Sequence, residues 1–480
     1  MSWESISEMA AKVADGSASA VKYCEQALAK IDSVDGEINA FNTVAAEAAT
    51  EAAAEVDRKV AAGEKVGAMA GVPIGIKDVL CTEGLETTCS SRILEGWVPP
   101  YSATVVSKLV AEDAVIVGKT NCDEFAMGSS NENSAFGPVL NPVDISRVPG
   151  GSSGGSAACV AADMVPVSLG TDTGGSVRQP ASFCGVVGMK PTYGGVSRYG
   201  LIAFASSFDT VGTFGKTVSD VAMLHDQIAG HDPRDSTSLP GDRDSVSKAL
   251  VEGADISGLK VGIIQELAGD GLDGFEPEVI AGLNTAANSL TAAGAEVEEV
   301  SIPSIEATLA AYYMLVPAEA SSNLARFDGV RYGLRGEGGN TAEMMRSSRT
   351  AGFGDEVKRR IMLGTYALSA GYYDAYFAKA SKLRAKLISD LAGVYEKFDV
   401  LLSPTSPMVA FPFGAKEDPL SMYLVDVATI PANLAGHPGI SVPFGTGADD
   451  LPIGMQFLGP KFGEATICRA AQALEGVNNG

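Results

Sequence analysis

Gly71-Val72-Pro73-Ile74-Gly75-Ile76-Lys77-Asp78, Gly150-Gly151-Ser152-Ser153-Gly154-Gly155-Ser156-Ala157-Ala158 and Gly170-Thr171-Asp172-Thr173-Gly174-Gly175-Ser176-Val177-Arg178-Gln179-Pro180 carry most of the information in this 480-residue chain. The first run ends an apolar strand on a lysine. The other two are glycine- and serine-rich turns of the kind that lead into helices. Outward from them the chain alternates. Residues 72–76 and 114–117 read as strands, with a helix over 104–112 between them. Further on, 259–264 reads as a strand, 277–293 as a helix and 295–300 as a strand. The first 65 residues, rich in Ala, Glu and Lys, read as helices, with Ser17 or Ser19 capping the one through 21–31. Residues 305–397 are again mostly helical and end in a long run over 361–398; 399–402 then reads as a buried strand closed by Ser403-Pro404. This alternation predicts an α/β fold. No low-complexity linker and no repeat of about 20–50 residues divides the chain. One domain over 1–480 is therefore expected: N-terminal helices (1–65), a core (71–220), a helical addition (305–397) and a return to the core (399–470).

Composition narrows the function classes. The chain holds 35 Lys and Arg against 59 Asp and Glu, a formal charge of −24. A basic footprint over the whole surface, as nucleic-acid binding would need, is excluded. The charge is uneven: residues 231–310 carry 15 acidic and 4 basic groups, whereas 341–400 carry 7 acidic and 10 basic. The acidic stretch reads as a solvated face. The seven cysteines are odd in number and form no CxxC pair, which argues against a disulfide framework and a structural zinc site. No signal-peptide pattern opens the chain, and no apolar run reaches about 18 residues, so a cytoplasmic protein without a membrane span is predicted.

Two motifs fail on inspection. Gly118-Lys119-Thr120 resembles the end of a phosphate loop, but Asp113 stands where the first glycine is needed. Gly151-Ser152-Ser153-Gly154-Gly155 matches GxSxG, yet the preceding 141–149 contains two prolines and no strand, which a nucleophile elbow requires. A Ser-His-Asp enzyme could draw only on His225, His231 or His437, and all three read as ordinary surface or loop histidines.

Lysine supplies the alternative base. Serine is a poor nucleophile until a base removes its proton. Lys77 ends an apolar strand, so its stem is expected to be buried. A free lysine titrates at about 10.4, whereas base catalysis near neutrality needs roughly 7–8. Lowering it that far costs about 4 kcal/mol, which desolvation can supply. Asp78 would oppose this if it faced the amine, but neighbours on a strand point to opposite faces. Thr173-Gly174-Gly175-Ser176 offers unshielded backbone N–H groups before a helix start, the arrangement that stabilises an oxyanion. Ser176 is thus the candidate nucleophile and the earlier serine cluster the relay to Lys77.

In these motifs and their order, residues 71–220 resemble the amidase signature family. The resemblance implies its fold, a large mixed central β-sheet covered by helices on both faces. It also implies a Ser-Ser-Lys triad, with Ser176 as nucleophile, Ser152 as bridging serine after a cis Gly151–Ser152 bond, and Lys77 as base. Further runs extend the likeness over nearly the whole chain: Ser129-Ser130-Asn131-Glu132-Asn133-Ser134-Ala135-Phe136-Gly137, Arg326-Phe327-Asp328-Gly329-Val330-Arg331-Tyr332-Gly333, Glu356-Val357-Lys358-Arg359-Arg360-Ile361-Met362-Leu363-Gly364, Gly371-Tyr372-Tyr373-Asp374-Ala375-Tyr376 and Asn433-Leu434-Ala435-Gly436-His437-Pro438-Gly439-Ile440. Within the family they resemble the A subunits of glutamyl-tRNA(Gln) amidotransferases. That branch implies glutamine hydrolysis by this chain and ammonia delivery to a B subunit (GatB). The B subunit handles aminoacyl-tRNA, ATP and Mg, and a small C subunit (GatC) joins the two. No cofactor or metal is implied in this chain. For glutamine, Arg360 would hold the α-carboxylate, Asp426 the α-ammonium, and Tyr312 would line the pocket. Arg359 and Tyr313 are the adjacent alternatives, because residues 334–342 run one residue short of the family pattern.

Overall fold

The computed structural model describes residues 3–241, 244–252, 255–268 and 274–478. Eleven strands form one mixed sheet: β1 (Phe41–Val44), β2 (Pro73–Lys77), β3 (Val115–Thr120), β4 (Val167–Asp172), β5 (Val187–Lys190), β6 (Thr210–Gly215), β7 (Lys260–Ile264), β8 (Glu296–Val300), β9 (Val400–Pro404), β10 (Gly439–Thr446) and β11 (Pro452–Leu458). Their order across the sheet is β1-β3-β2-β4-β6-β5-β10-β11-β9-β7-β8. β2 lies parallel to β3 on one side and to β4 on the other. The three share a carboxyl end, the end at which open α/β sheets place ligands. That end carries Lys77 and Asp172.

Helices cover both faces. Ile74 and Ile76 of β2 join a core with Leu315 and Leu387 of later helices. Val115 and Val117 of β3 face the opposite core, with Ala27, Ala53 and Ala157. The pleat therefore sends Gly75 and Lys77 away from Ile74 and Ile76. A Cβ at Gly75 would lie 3.4 Å from Cys159 Sγ on the Gly154–Ala161 helix, so Lys77 extends toward the start of that helix.

The α/β expectation holds, with local corrections. Ser19, not Ser17, caps the second helix: its Oγ accepts the Lys22 N–H, and the helix runs Ala20–Ile38 until Asn39 turns left-handed at φ 59°. The first 65 residues also contain β1, which the helical reading missed. The run over 361–398 is two helices, Asp355–Ala367 and Phe377–Val394. They are separated by a turn segment in which Gly371 takes φ 91°. His225 is buried within a helix, contrary to the surface-or-loop reading, whereas His437 is in a loop but buried. Burial, with Lys190 and Lys461 nearby, holds His437 down to about 4, so it is neutral and packs on Tyr395. All seven cysteines are buried and unpaired.

Candidate active site

Lys77 is fully buried. Its Nζ donates to Ser152 Oγ at 2.7 Å, Ser153 Oγ at 2.8 Å and Thr171 Oγ1 at 3.0 Å. Desolvation lowers its pKa to about 8, against the opposing pull of nearby acidic groups such as Asp123 and Asp172. Asp78 does not contribute a close charge. It turns to the other side, accepting from Thr88 and Asn42 and pairing with buried Lys119 at 3.2 Å. The lysine of the failed phosphate loop thus occupies the neighbouring carboxylate and leaves Lys77 to hydroxyl partners.

Those hydroxyls are not equivalent. Ser153 Oγ donates to the Thr171 carbonyl at 3.1 Å and accepts the Thr171 N–H at 3.2 Å. Its proton is committed there. Ser152 Oγ has no other partner among the described residues, so its proton is free to move. Ser152 follows a cis Gly151–Ser152 bond. Its carbonyl accepts the Asp123 N–H at 3.1 Å, and Gly151 N–H donates to Gln179 Oε1 at 2.9 Å. Asp123, raised by burial to about 6, accepts from the N–H groups of Asn131 and Asn133.

The Ser176 loop joins β4 to the Arg178–Cys184 helix. Ser153 N–H donates to the Ser176 carbonyl at 3.3 Å, tying the two serine loops together. Among the described residues, no hydrogen bond occupies the N–H groups of Gly174, Gly175 or Ser176. The next two, of Val177 and Arg178, are taken by Asp172 Oδ2. Asp172 is itself held by Arg178 through Nε and a terminal nitrogen, both at 3.1 Å, and by Asn433 at 2.8 Å. Arg178 and Asp172 are fully buried. Gly175 sits at φ 144°, and any Cβ there would fall 2.2 Å from Thr429 Oγ1. Thr429 Oγ1 donates to the Gly174 carbonyl at 2.6 Å, fixing the orientation of the peptide units that follow it. The loop can therefore present a cluster of backbone donors at one point beside Ser176 Oγ.

Two of the residues expected to bind substrate, Tyr312 and Asp426, meet this loop from distant elements. Tyr312 lies on the Thr308–Asn323 helix, and a Cβ on Gly174 would sit 2.5 Å from its Oη. Tyr313, also buried, stacks on Tyr423 with centroids 3.7 Å apart and lies against the Arg360 guanidinium. Asp426 Oδ2 accepts from Ser129, whereas Oδ1 is buried, has no hydrogen-bond partner, and lies 3.3 Å from where a Gly175 Cβ would be. Burial pushes Asp426 up to about 7, although Ser129 and Arg360 pull it down.

Arg360 is 3% exposed, while the Arg359 side chain is 47% exposed, so the helix turns Arg360 inward. Its Nε donates to Glu356 at 2.7 Å, and Phe204, Tyr313 and Tyr423 surround the guanidinium at 5.5–5.6 Å. Burial opposes the charge, but Glu356 and the tyrosines Tyr313, Tyr423 and Tyr312 together outweigh it and the guanidinium stays protonated. Its terminal nitrogens bond to no described residue.

Ser153, Thr171, Asp172, Arg178, Ser129 and Thr429 were not singled out from sequence. The first four lie within the quoted motifs, and Ser129 opens one of the longer quoted runs. Ser129 and Thr429 meet the site only through tertiary structure.

The Amidase family model matches residues 22–468. The A subunit of glutamyl-tRNA(Gln) amidotransferase from Acidothermus cellulolyticus is 55% identical over 473 residues, covering 98% of this chain and 93% of that protein. The crystal structure of the corresponding glutamyl-tRNA(Gln) amidotransferase A chain from Thermotoga maritima superposes with a TM-score of 0.79 at 45% identity, over 95% of this chain and 91% of that one. Peptide amidase from Stenotrophomonas maltophilia superposes with a TM-score of 0.84 at 29% identity, over 99% and 97%. These likenesses run over nearly the whole length of the chain, and the chain belongs to the amidase family.

Proposed function

We propose that this chain is the glutamine-hydrolysing A subunit of a glutamyl-tRNA(Gln) amidotransferase. One observation carries the substrate: Asp426 Oδ1, buried and without a hydrogen-bond partner, lies beside Gly175 of the Ser176 loop, and the charged Arg360, whose terminal nitrogens bond to no described residue, acts electrostatically on both Asp426 and Tyr312. A free amino acid offers a carboxylate and an ammonium to match them. A simple amide offers neither and would leave Asp426 Oδ1 unpaired, at a cost of about 1–3 kcal/mol.

Neutral Lys77 takes a proton through Ser152 as Ser176 Oγ attacks the side-chain amide carbon. The backbone N–H groups of the 173–176 loop receive the oxyanion. The same relay returns the proton to the leaving nitrogen, ammonia departs, and water hydrolyses the glutamyl ester. Ammonia then serves the B subunit, where ATP and Mg activate Glu-tRNA(Gln), with the C subunit joining the complex. Whether Asp-tRNA(Asn) also serves as acceptor is decided at the B subunit.

The test compares glutamine with butyramide. Glutamine is expected to be preferred at least 100-fold in kcat/KM, and Arg360→Ala to raise its KM more than tenfold while leaving butyramide turnover unchanged. Equal turnover of both amides by the unaltered chain would replace this reading with a free-standing amidase.

A further inference from the structure

The helix that carries Arg360 begins without a cap of its own. Asp355–Ala367 has Gly354 at its N-cap, which offers no side-chain acceptor. The first N–H groups of a helix need partners, and a missing cap weakens the first turn. Here the partner comes from 230 residues away. Glu124 Oε2 accepts the Gly354 N–H at 2.8 Å, and its other oxygen accepts from Ser91 Oγ. Ser91 Oγ also lies 3.1 Å from the Gly352 carbonyl, at the end of the preceding Thr341–Gly352 helix. One carboxyl group and one hydroxyl thus bridge the ends of two helices to the core.

Glu124 has no other role in the proposed chemistry, yet it is 3% exposed. It lies on the floor of a cleft of about 430 Å³ between the 132–135 segment and the start of the Arg360 helix. Burial pushes it up to about 7. Its network is complete when the group is neutral. A carboxyl O–H can donate to Ser91 Oγ, Ser91 can donate to the Gly352 carbonyl, and the remaining oxygen still accepts the Gly354 N–H. Its neighbour Asp123 organises the Asn131–Asn133 backbone beside Ser129, which holds Asp426. The two consecutive acids therefore reach both halves of the substrate clamp. Gly354 is shaped to this contact, since a Cβ there would fall 2.5 Å from Glu124 Oε2. Its φ of −73° would suit any residue, so closeness to Glu124 rather than backbone conformation is what alanine would offend.

We propose that Glu124 is a positioning residue for substrate binding: it latches the Arg360 helix to the core and so sets where the carboxylate-binding guanidinium stands. The inference rests on the reading of Arg360 given above. It is tested by steady-state glutamine hydrolysis with the full-length chain assembled with its B and C subunits. Glu124→Ala is expected to raise the glutamine KM about tenfold, with kcat within about twofold and butyramide turnover unchanged. Glu124→Gln, which keeps an acceptor for Gly354 and a donor for Ser91, is expected to restore the normal KM. Gly354→Ala, which leaves the carboxyl in place but crowds it, should reproduce the KM rise if Glu124→Ala does not fold. A normal KM in Glu124→Ala or Gly354→Ala, or equal losses of kcat for both amides, would overturn the latch. Arg360→Ala, measured alongside, separates the two claims. If it leaves KM unchanged, the reading of Arg360 fails. If it raises KM while the Glu124 and Gly354 variants do not, only the latch fails.

Discussion

At the scale of single residues, the chemistry depends on keeping one ammonium group uncomfortable. Lys77 has three hydroxyl acceptors and no close carboxylate, so burial dominates and its pKa falls to about 8. Asp78, adjacent in sequence, would have reversed this had it faced the amine; Lys119 holds it away. In the proposed mechanism the neutral amine is the base, and its population rises with pH. Glutamine hydrolysis under kcat/KM conditions is therefore expected to climb with unit slope from pH 6, reach half its maximum near pH 8 and level off above. Lys77→Ala should cut turnover at least a thousandfold and leave no such limb. A flat profile in the unaltered protein, or near-normal turnover in the variant at neutral pH, would remove Lys77 from the role of base.

At the scale of elements, the proposed substrate clamp depends on how closely two helices approach. Tyr312 and Arg360 ride on Thr308–Asn323 and Asp355–Ala367. Where these cross, Gly364 meets the carbonyl of Pro317, and a Cβ on Gly364 would lie 1.8 Å from that oxygen. The helices must separate to admit it, at a cost of about 1–3 kcal/mol. Gly364→Ala is expected to lower the denaturation midpoint and to raise the glutamine KM, because the guanidinium moves with its helix. An unchanged KM would show that the crossing does not set the clamp. Nothing in the sequence near Gly364 announces this, since the partner carbonyl is 47 positions earlier in the chain. Legibility followed the same line elsewhere. Strands β2, β3, β7 and β9 were readable because β-branched and leucine residues run together in them. β4 was not, since Val-Ser-Leu-Gly-Thr-Asp looks polar and gains its burial only as a central strand. Lys77 and the two serine loops stood out through local composition. Their partners Ser153 and Thr171 became distinguishable only when hydrogen-bond directions could be traced. The break at 368–376 had a signal in Gly371, outweighed by the helical residues on either side.

At the scale of the molecule, one sheet carries both the chemistry and the charge, at opposite ends. β2 and β4 hold the lysine and the nucleophile loop, while β7 and β8 close the far edge. Glu296, Glu298 and Glu299 are exposed on β8, where charge on an edge strand discourages pairing with other chains. These three glutamates, part of the acidic excess of residues 231–310, thus lie on an edge strand away from β2 and β4. A surface of −24 does not favour direct contact with an RNA backbone. Among the described residues, no helix is long and apolar enough to cross a membrane. If the function is divided as proposed, this chain makes ammonia and another subunit uses it on tRNA. The division is separable by one atom. Ser176→Ala removes the nucleophilic oxygen and changes nothing that a partner would touch, since Ser176 is 8% exposed within the loop. In the assembled complex, amidation of Glu-tRNA(Gln) with glutamine as donor is expected to vanish. The same reaction with ammonium chloride should proceed at the normal rate, because free ammonia bypasses the serine. Loss of both activities would mean that the nucleophile loop also supports the acceptor site. Persistence of both would mean that Ser176 does not form the acyl intermediate.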